Sequence, residues 1–206
     1  MDISYLGNGS VRISGKDIDI VTDPVAGTKV KADVVTWSAP EASGMGFVKL
    51  ADTLLLDDPG EYEVKSCAIT GVPTRLHIDE SGERGTAYSF DVDGIHVIVV
   101  GNVAGKLADA QVEGLGQADV LVVPVGGGGL TLDAQGAAEL VAQLEPSWVI
   151  PVHYDDGVSQ YAVPQAKVEE FLGEMGVKPE PVSKFRLSIK DTAAETQVVL
   201  LQRQGS

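Results

Sequence analysis

The hydrophobic pattern changes its period near Gly101, and any fold must satisfy both halves of the chain. Before that point short alternating segments dominate: Ile3 and Tyr5, Val11 and Ile13, Ile18 and Ile20, separated by Gly7-Asn8-Gly9 and Gly15-Lys16-Asp17. Alternation broken by turn residues reads as an antiparallel meander. Tyr88-Ser89-Phe90-Asp91-Val92, the turn Asp93-Gly94 and the run from Ile95 to Val100 read as a hairpin. Beyond Gly101 the spacing turns helical, first at Val112 and Leu115, then at Ala134, Ala137, Ala138, Val141 and Leu144. A third helix carries Val168, Phe171, Leu172 and Met175, with Gly176 as its stop. Between these helices, residues 119–124 and 148–151 are short and apolar enough for strands buried on both faces. Strands are expected again at residues 185–189 and 197–202. Sheet-forming segments at both ends, with helices between them, point to an α/β fold. The simplest layering is two mixed sheets with helices outside, an αββα sandwich.

The 206 residues, 44% of them hydrophobic, suit a single domain spanning 1–206, with no repeat or linker to divide it. Thirty acidic residues against 15 basic give a formal net charge of −15, which disfavours nucleic acid as a partner. The start, Met1-Asp2-Ile3-Ser4-Tyr5, has neither the basic nor the apolar region of a signal peptide, so a cytoplasmic location is expected. No apolar run reaches the roughly 20 residues of a membrane span. Cys67 has no partner cysteine and sits in an apolar stretch, as a buried structural thiol does.

Several stretches carry a resemblance. They are Tyr5-Leu6-Gly7, Thr22-Asp23-Pro24, Ala32-Asp33-Val34-Val35-Thr36, Asp58-Pro59-Gly60-Glu61-Tyr62-Glu63-Val64, Ile69-Thr70-Gly71-Val72-Pro73-Thr74, Val123-Pro124-Val125-Gly126-Gly127 and Ile150-Pro151-Val152-His153-Tyr154. In this order they resemble the metallo-β-lactamase superfamily, in the branch related to the ascorbate-phosphate lactonases. The resemblance implies an αββα fold and a pocket on loops at one edge of the sandwich, where histidines and aspartates hold one or two metal ions that activate water. The family's T-H-x-H-x-D-H stands here as Thr36-Trp37-Ser38-Ala39-Pro40-Glu41-Ala42. Its G-D-L-G-H stands as Gly101-Asn102-Val103-Ala104-Gly105, and its G-H-S-S as Gly7-Asn8-Gly9-Ser10. A methyl group has no lone pair and an indole N–H only donates, so Trp37, Ala39 and Ala42 cannot ligate metal. His153 alone keeps a ligand in register.

The resemblance therefore implies a pocket formed by Asn8, Trp37, Ala39, Glu41, Ala42, Asp58, His77, Asn102, Gly126, Gly127 and His153, with no metal cofactor. The expected function is a non-enzymatic binding, assembly or regulatory role. The alternative is a zinc- or manganese-dependent hydrolase of a phosphorylated or lactone-like small molecule, with a site rebuilt from His153, His77, Asp79 and Glu41 and with His153 as the candidate catalytic residue. Trp37 is expected to pack over the vacated metal position. His153 is expected at a groove edge. An exposed apolar edge at Trp37 or Met45-Gly46-Phe47 would support a homo-oligomer.

Other residues carry less. His96 reads as a hydrogen-bonded strand histidine. The glycines at 126–129 read as a flexible loop rather than a phosphate loop, since no lysine and hydroxyl follow. Glu61 and Glu63 face one side of a strand, with a structural role in turning the chain expected over acid–base work. Ser10 and Ser38 have no identifiable base.

Overall fold

In the computed structural model, residues 1–25, 29–39, 48–49, 52–76, 84–103, 105–191, 193 and 195–204 are described. The strands are β1 (Asp2–Gly7), β2 (Ser10–Ser14), β3 (Asp19–Thr22), β4 (Lys29–Val30), β5 (Val34–Thr36), β6 (Val48–Lys49), β7 (Leu54–Leu56), β8 (Gly60–Val64), β9 (Cys67–Arg75), β10 (Arg84–Val92), β11 (Ile95–Val99), β12 (Val120–Pro124), β13 (Trp148–Val152), β14 (Phe185–Arg186) and β15 (Gln197–Val198). The helices are α1 (Asp109–Leu115), α2 (Ala134–Leu144) and α3 (Val168–Glu174).

They form a six-stranded sheet, β14-β1-β2-β3-β5-β7, and a seven-stranded sheet, β15-β13-β12-β11-β10-β9-β8, with β4 and β6 pairing separately. Each large sheet is mixed in the same way. Its antiparallel part is made of hairpins, β1-β2-β3 in one sheet and β8-β9-β10-β11 in the other. Its parallel part is β3-β5-β7 in the first and β11-β12-β13-β15 in the second. Helices α1 and α2 make the crossovers of the second, which is why Val120, Leu121, Val122 and Val123 are all fully buried. One apolar cluster joins both sheets, with Tyr5 and Ile13 from the first and Phe90, Val97 and Leu121 from the second. This is the expected αββα sandwich.

Local chemistry sets the boundaries. The Asp93-Gly94 turn closes the predicted hairpin with Val92 opposite Ile95. Asp133 accepts the Gly136 N–H at 2.8 Å and starts α2. The tail strands are shorter than the sequence suggests. Both hydroxyl and N–H of Ser188 bond the Asp191 carboxylate, turning the chain away after Arg186. Past Val198 the chain keeps only single bridges, Val182 to Leu201 and Tyr5 to Arg203. Cys67 is buried, as expected. No helix among the described residues is long and apolar enough to cross a membrane.

Candidate functional site

The parallel registers bring the site residues to the carboxyl ends of strands in each sheet. Thr22, Thr36 and Leu56 are level across β3, β5 and β7, so Asp23 and Trp37 leave the first sheet together. Val99 pairs with Val122, and Pro124 with Val152, so Asn102, Gly126 and His153 follow the corresponding ends of the second sheet. Loops at the carboxyl ends of parallel strands are where open α/β sheets place ligands.

On the first rim, Trp37 is 3% exposed, so it offers no exposed apolar edge for self-association. Met45-Gly46-Phe47 lie outside the described residues. The Trp37 backbone N–H bonds Leu56 O at 2.9 Å, the Ser38 backbone N–H bonds Asp23 Oδ1 at 2.7 Å, and Ser38 O accepts the Thr86 N–H of β10 at 2.9 Å. The loop is thus tied to both sheets. Gly101 makes this approach possible: a Cβ there would lie 2.2 Å from Ser38 Cβ, and its φ of +59° is one that residues with side chains seldom adopt. Burial pushes the Asp23 carboxyl up to about 6, against the opposing hydrogen bonds from Ser38.

On the second rim, His153 is 9% exposed, which corrects the expectation of a groove-edge residue. Its backbone N–H bonds Asn8 O at 2.7 Å, its Nδ1 lies 3.2 Å from Gln165 Oε1, and its ring lies 4.8 Å from that of Tyr161, tilted by 47°. Burial lowers its pKa, so the imidazole is uncharged at neutral pH. The surrounding loop is closed by bonds from Asp155 N to Ala166 O and from Ala166 N to Gly126 O. Inside it, the Asp156 carboxylate accepts from Val158 N, Ser159 N and Ser159 Oγ, and Arg203 donates to Ser159 Oγ at 3.1 Å. Burial alone would raise Asp156, but these donors and the Arg203 charge hold it below the usual carboxylate value. A cavity of about 360 Å³ opens among Asp155, Ser159, Tyr161, Val163 and Gln165.

The glycines at 126 and 128 have a definite packing role. A Cβ on Gly126 would meet Gln165 Oε1 at 2.6 Å, and one on Gly128 would meet Gln165 Nε2 at 2.7 Å. They make room for the Gln165 amide and for the His153 and Pro164 carbonyls, which would lie 2.3 and 2.4 Å from those Cβ positions. Gly127 adopts φ +66° and bonds the Thr131 hydroxyl through its N–H at 3.0 Å. Asn8 and Asn102 are half-buried, and neither side chain has a hydrogen bond among the described residues. Asp58 is exposed and uses its carbonyl, which accepts from Tyr62 and Tyr88. Glu41, Ala42, His77 and Asp79 lie outside the described residues, while Ala39 is half-buried beside Ser38.

His96 is the strand histidine expected, with Nδ1 2.6 Å from Asp91 and Nε2 2.6 Å from Leu115 O at the end of α1. Ser10 Oγ bonds Thr22 O, so that hydroxyl ties β2 to β3. Asp23, Asp156, Tyr161, Gln165 and Arg203 were not selected from the sequence. Only Asp23 carried a signal, as part of Thr22-Asp23-Pro24.

A comparison with curated proteins finds no match. Among solved structures, a candidate Zn-dependent hydrolase of the metallo-β-lactamase superfamily from Thermotoga maritima has a TM-score of 0.78 at 29% identity, over 98% of this chain and 99% of that one. Igni18, a metallo hydrolase from Ignicoccus hospitalis, has a TM-score of 0.63 at 17% identity, over 91% of this chain and 99% of that one. A candidate metal-dependent hydrolase from Parabacteroides distasonis has a TM-score of 0.61 at 18% identity, over 97% and 93%. The last two show the fold alone. The sequence profile of the beta-lactamase superfamily domain matches residues 2–153, ending on the histidine of the second rim, and with the strand order above it settles the family. The chain belongs to the metallo-β-lactamase superfamily.

Proposed function

We propose that the chain is a non-catalytic member of the superfamily, which keeps the scaffold and uses the remodelled groove for binding, assembly or regulation. The observation that carries this reading is Trp37. It takes the first ligand position of the family motif, at 3% exposure, in a loop bonded to both sheets. The donor chemistry supports it. At the described family ligand positions stand Asn8, Trp37, Ala39, Asn102 and His153, which offer two neutral amides, an indole, a methyl group and one imidazole. A zinc site wants three or four protein ligands, and this set does not fit one. Among the described residues, no three of His, Cys, Asp and Glu gather as a metal-holding group.

A second reading, a hydrolase with a rebuilt site, draws on the uncharged, enclosed imidazole of His153, the state that a metal ligand or general base needs. Its other members, Glu41, His77 and Asp79, lie outside the described residues. Metal analysis of protein purified without chelator separates the two. Much less than one equivalent of zinc, manganese or iron is expected. Stoichiometric metal retained through dialysis would overturn the non-catalytic reading.

A further inference from the structure

Away from the site, His96 makes a pair of contacts that a neutral imidazole cannot complete. The residue lies on β11 directly opposite Asp91 of β10, and its Nδ1 is 2.6 Å from Asp91 Oδ1. Across the ring, its Nε2 is 2.6 Å from the carbonyl oxygen of Leu115, the last residue of α1. An ionised carboxylate and a backbone carbonyl only accept. A neutral ring carries one N–H, so it satisfies one of these oxygens and turns a lone pair on the other at the same short distance. Two protons satisfy both, and the imidazolium then joins the β10-β11 hairpin to α1 by two charge-assisted hydrogen bonds.

The surroundings are built around this contact. Leu115 O belongs to the last turn of α1, where carbonyls lack partners within the helix and the dipole is negative. Gly116 leaves room for the ring, since a Cβ there would lie 3.2 Å from His96 Nε2. The charged groups from neighbouring elements are acids: Asp91 on β10, Asp119 before β12, whose Oδ2 accepts the His96 backbone N–H at 2.7 Å, and Asp109 and Glu113 on α1, which has no basic residue in its last turn. The Cys67 thiol of β9 stays neutral, because burial pushes it up to about 11.

We propose that His96 is a proton-operated latch between the β10-β11 hairpin and the end of α1, closed while the ring carries two protons and open when it carries one. The latch is independent of the function proposed above. When the second proton leaves, the charged Asp91 carboxylate keeps the Nδ1–H, and the Nε2 lone pair meets Leu115 O. The contact that breaks is therefore the one to the helix. With seven residues α1 is too short to hold itself, so its last turn loosens. Its first turn is tied separately, by Gln111 Nε2 donating to Pro73 O at 2.7 Å. The stabilisation is thus present in acid and lost as pH rises.

The test is amide hydrogen exchange in the full-length protein at about pH 5.5 and about pH 8, which bracket the ordinary histidine range and lie above the carboxylate range. Protection factors remove the intrinsic pH dependence of exchange. Between these values the Val112 to Gly116 amides of the wild type are expected to lose about tenfold in protection, the scale of one charge-assisted hydrogen bond, while the Leu121 to Val123 amides of β12 keep theirs. The loss is expected to share its midpoint with the His96 ring titration, followed by long-range proton–nitrogen NMR and assigned by its absence in His96→Gln. In that variant α1 protection is expected to be the same at both pH values. Equal α1 protection in the wild type at the two pH values overturns the proposal, and that measurement needs no variant to fold. A tenfold loss that survives in His96→Gln overturns it as well.

Discussion

Trp37 and His153 follow the carboxyl ends of β5 and β13, each in its own sheet, and both are nearly closed to water, at 3% and 9% exposure. They are held by different physics. Trp37 is a large apolar side chain whose loop is bonded to the sheets through backbone groups. His153 lies among polar contacts, its Nδ1 facing Gln165 Oε1 and its ring facing Tyr161, in a loop where Asp156, Ser159 and Arg203 bond one another through side chains. Apolar burial tolerates no loss of volume but is indifferent to direction, whereas a hydrogen-bonded network fixes direction and makes each donor dependent on the next. The first rim is thus suited to closing space and the second to orienting a group.

The contrast can be broken by urea unfolding. Trp37→Ala is expected to cost about 3–5 kcal/mol, the range for deleting a buried aromatic side chain. His153→Ala, which loses one side-chain hydrogen bond and keeps the backbone bond to Asn8, is expected to cost about 1–2 kcal/mol. Equal losses would mean that the rims do not differ in kind.

Gly101→Ala sharpens the same point. The new Cβ would fall 2.2 Å from Ser38 Cβ at a left-handed backbone position, and a loss of about 2–3 kcal/mol is expected. Acrylamide quenching of tryptophan fluorescence is expected to rise as the first rim opens. An unchanged quenching constant together with full stability would show that the close approach is dispensable.

The smallest effect concerns Asp23, the one described carboxylate on the first rim with a raised pKa. Its folded value of about 6 lies above the ordinary 3.8, so between these values the folded protein keeps a proton that the unfolded chain has released. Its contribution therefore falls as pH rises from about 4 to about 6 and levels off above that. Because the residue is only half-buried, solvent limits the effect to about 1–2 kcal/mol. Asp23→Asn is expected to remove this slope from urea midpoints measured across the window. An identical slope in both proteins would assign it to other groups.

Much of the scaffold was legible from local pattern. The Asp93-Gly94 hairpin and the apolar faces of α2 and α3 depend on residues close in sequence, and period 2 or 3.6 reports them directly. The tail strands were overestimated because the alternation continues beyond Arg186 and Val198 while the Ser188 and Asp191 turn and single bridges replace the ladder. On the site, motif order placed Trp37, Asn102 and His153 just after strands, and the parallel registers put each past a carboxyl end of its own sheet. The partners of His153 were not legible. Gln165 acts across a loop and through space left by Gly126 and Gly128, and no short-range pattern encodes a void made for a distant amide. Arg203 reaches Ser159 from another part of the chain, and Asp156 reads in sequence as one more surface acid.

The bridge between Tyr5 and Arg203, with the Arg203 guanidinium lying over Gly7, also sets a timetable for biogenesis. Strand β1 has one flank that is covered, among the described residues, when Phe185 pairs with Ile3 and Arg203 reaches Tyr5. Until residues 185 to 203 have left the ribosome, that flank is an open edge able to pair with another molecule. Contacts of such sequence separation slow folding, since loop closure precedes any gain from them. The nascent chain therefore carries β1 unprotected while the residues between 7 and 185 are made, and loss of the Phe185 and Arg203 contacts is expected to show first as aggregation during synthesis.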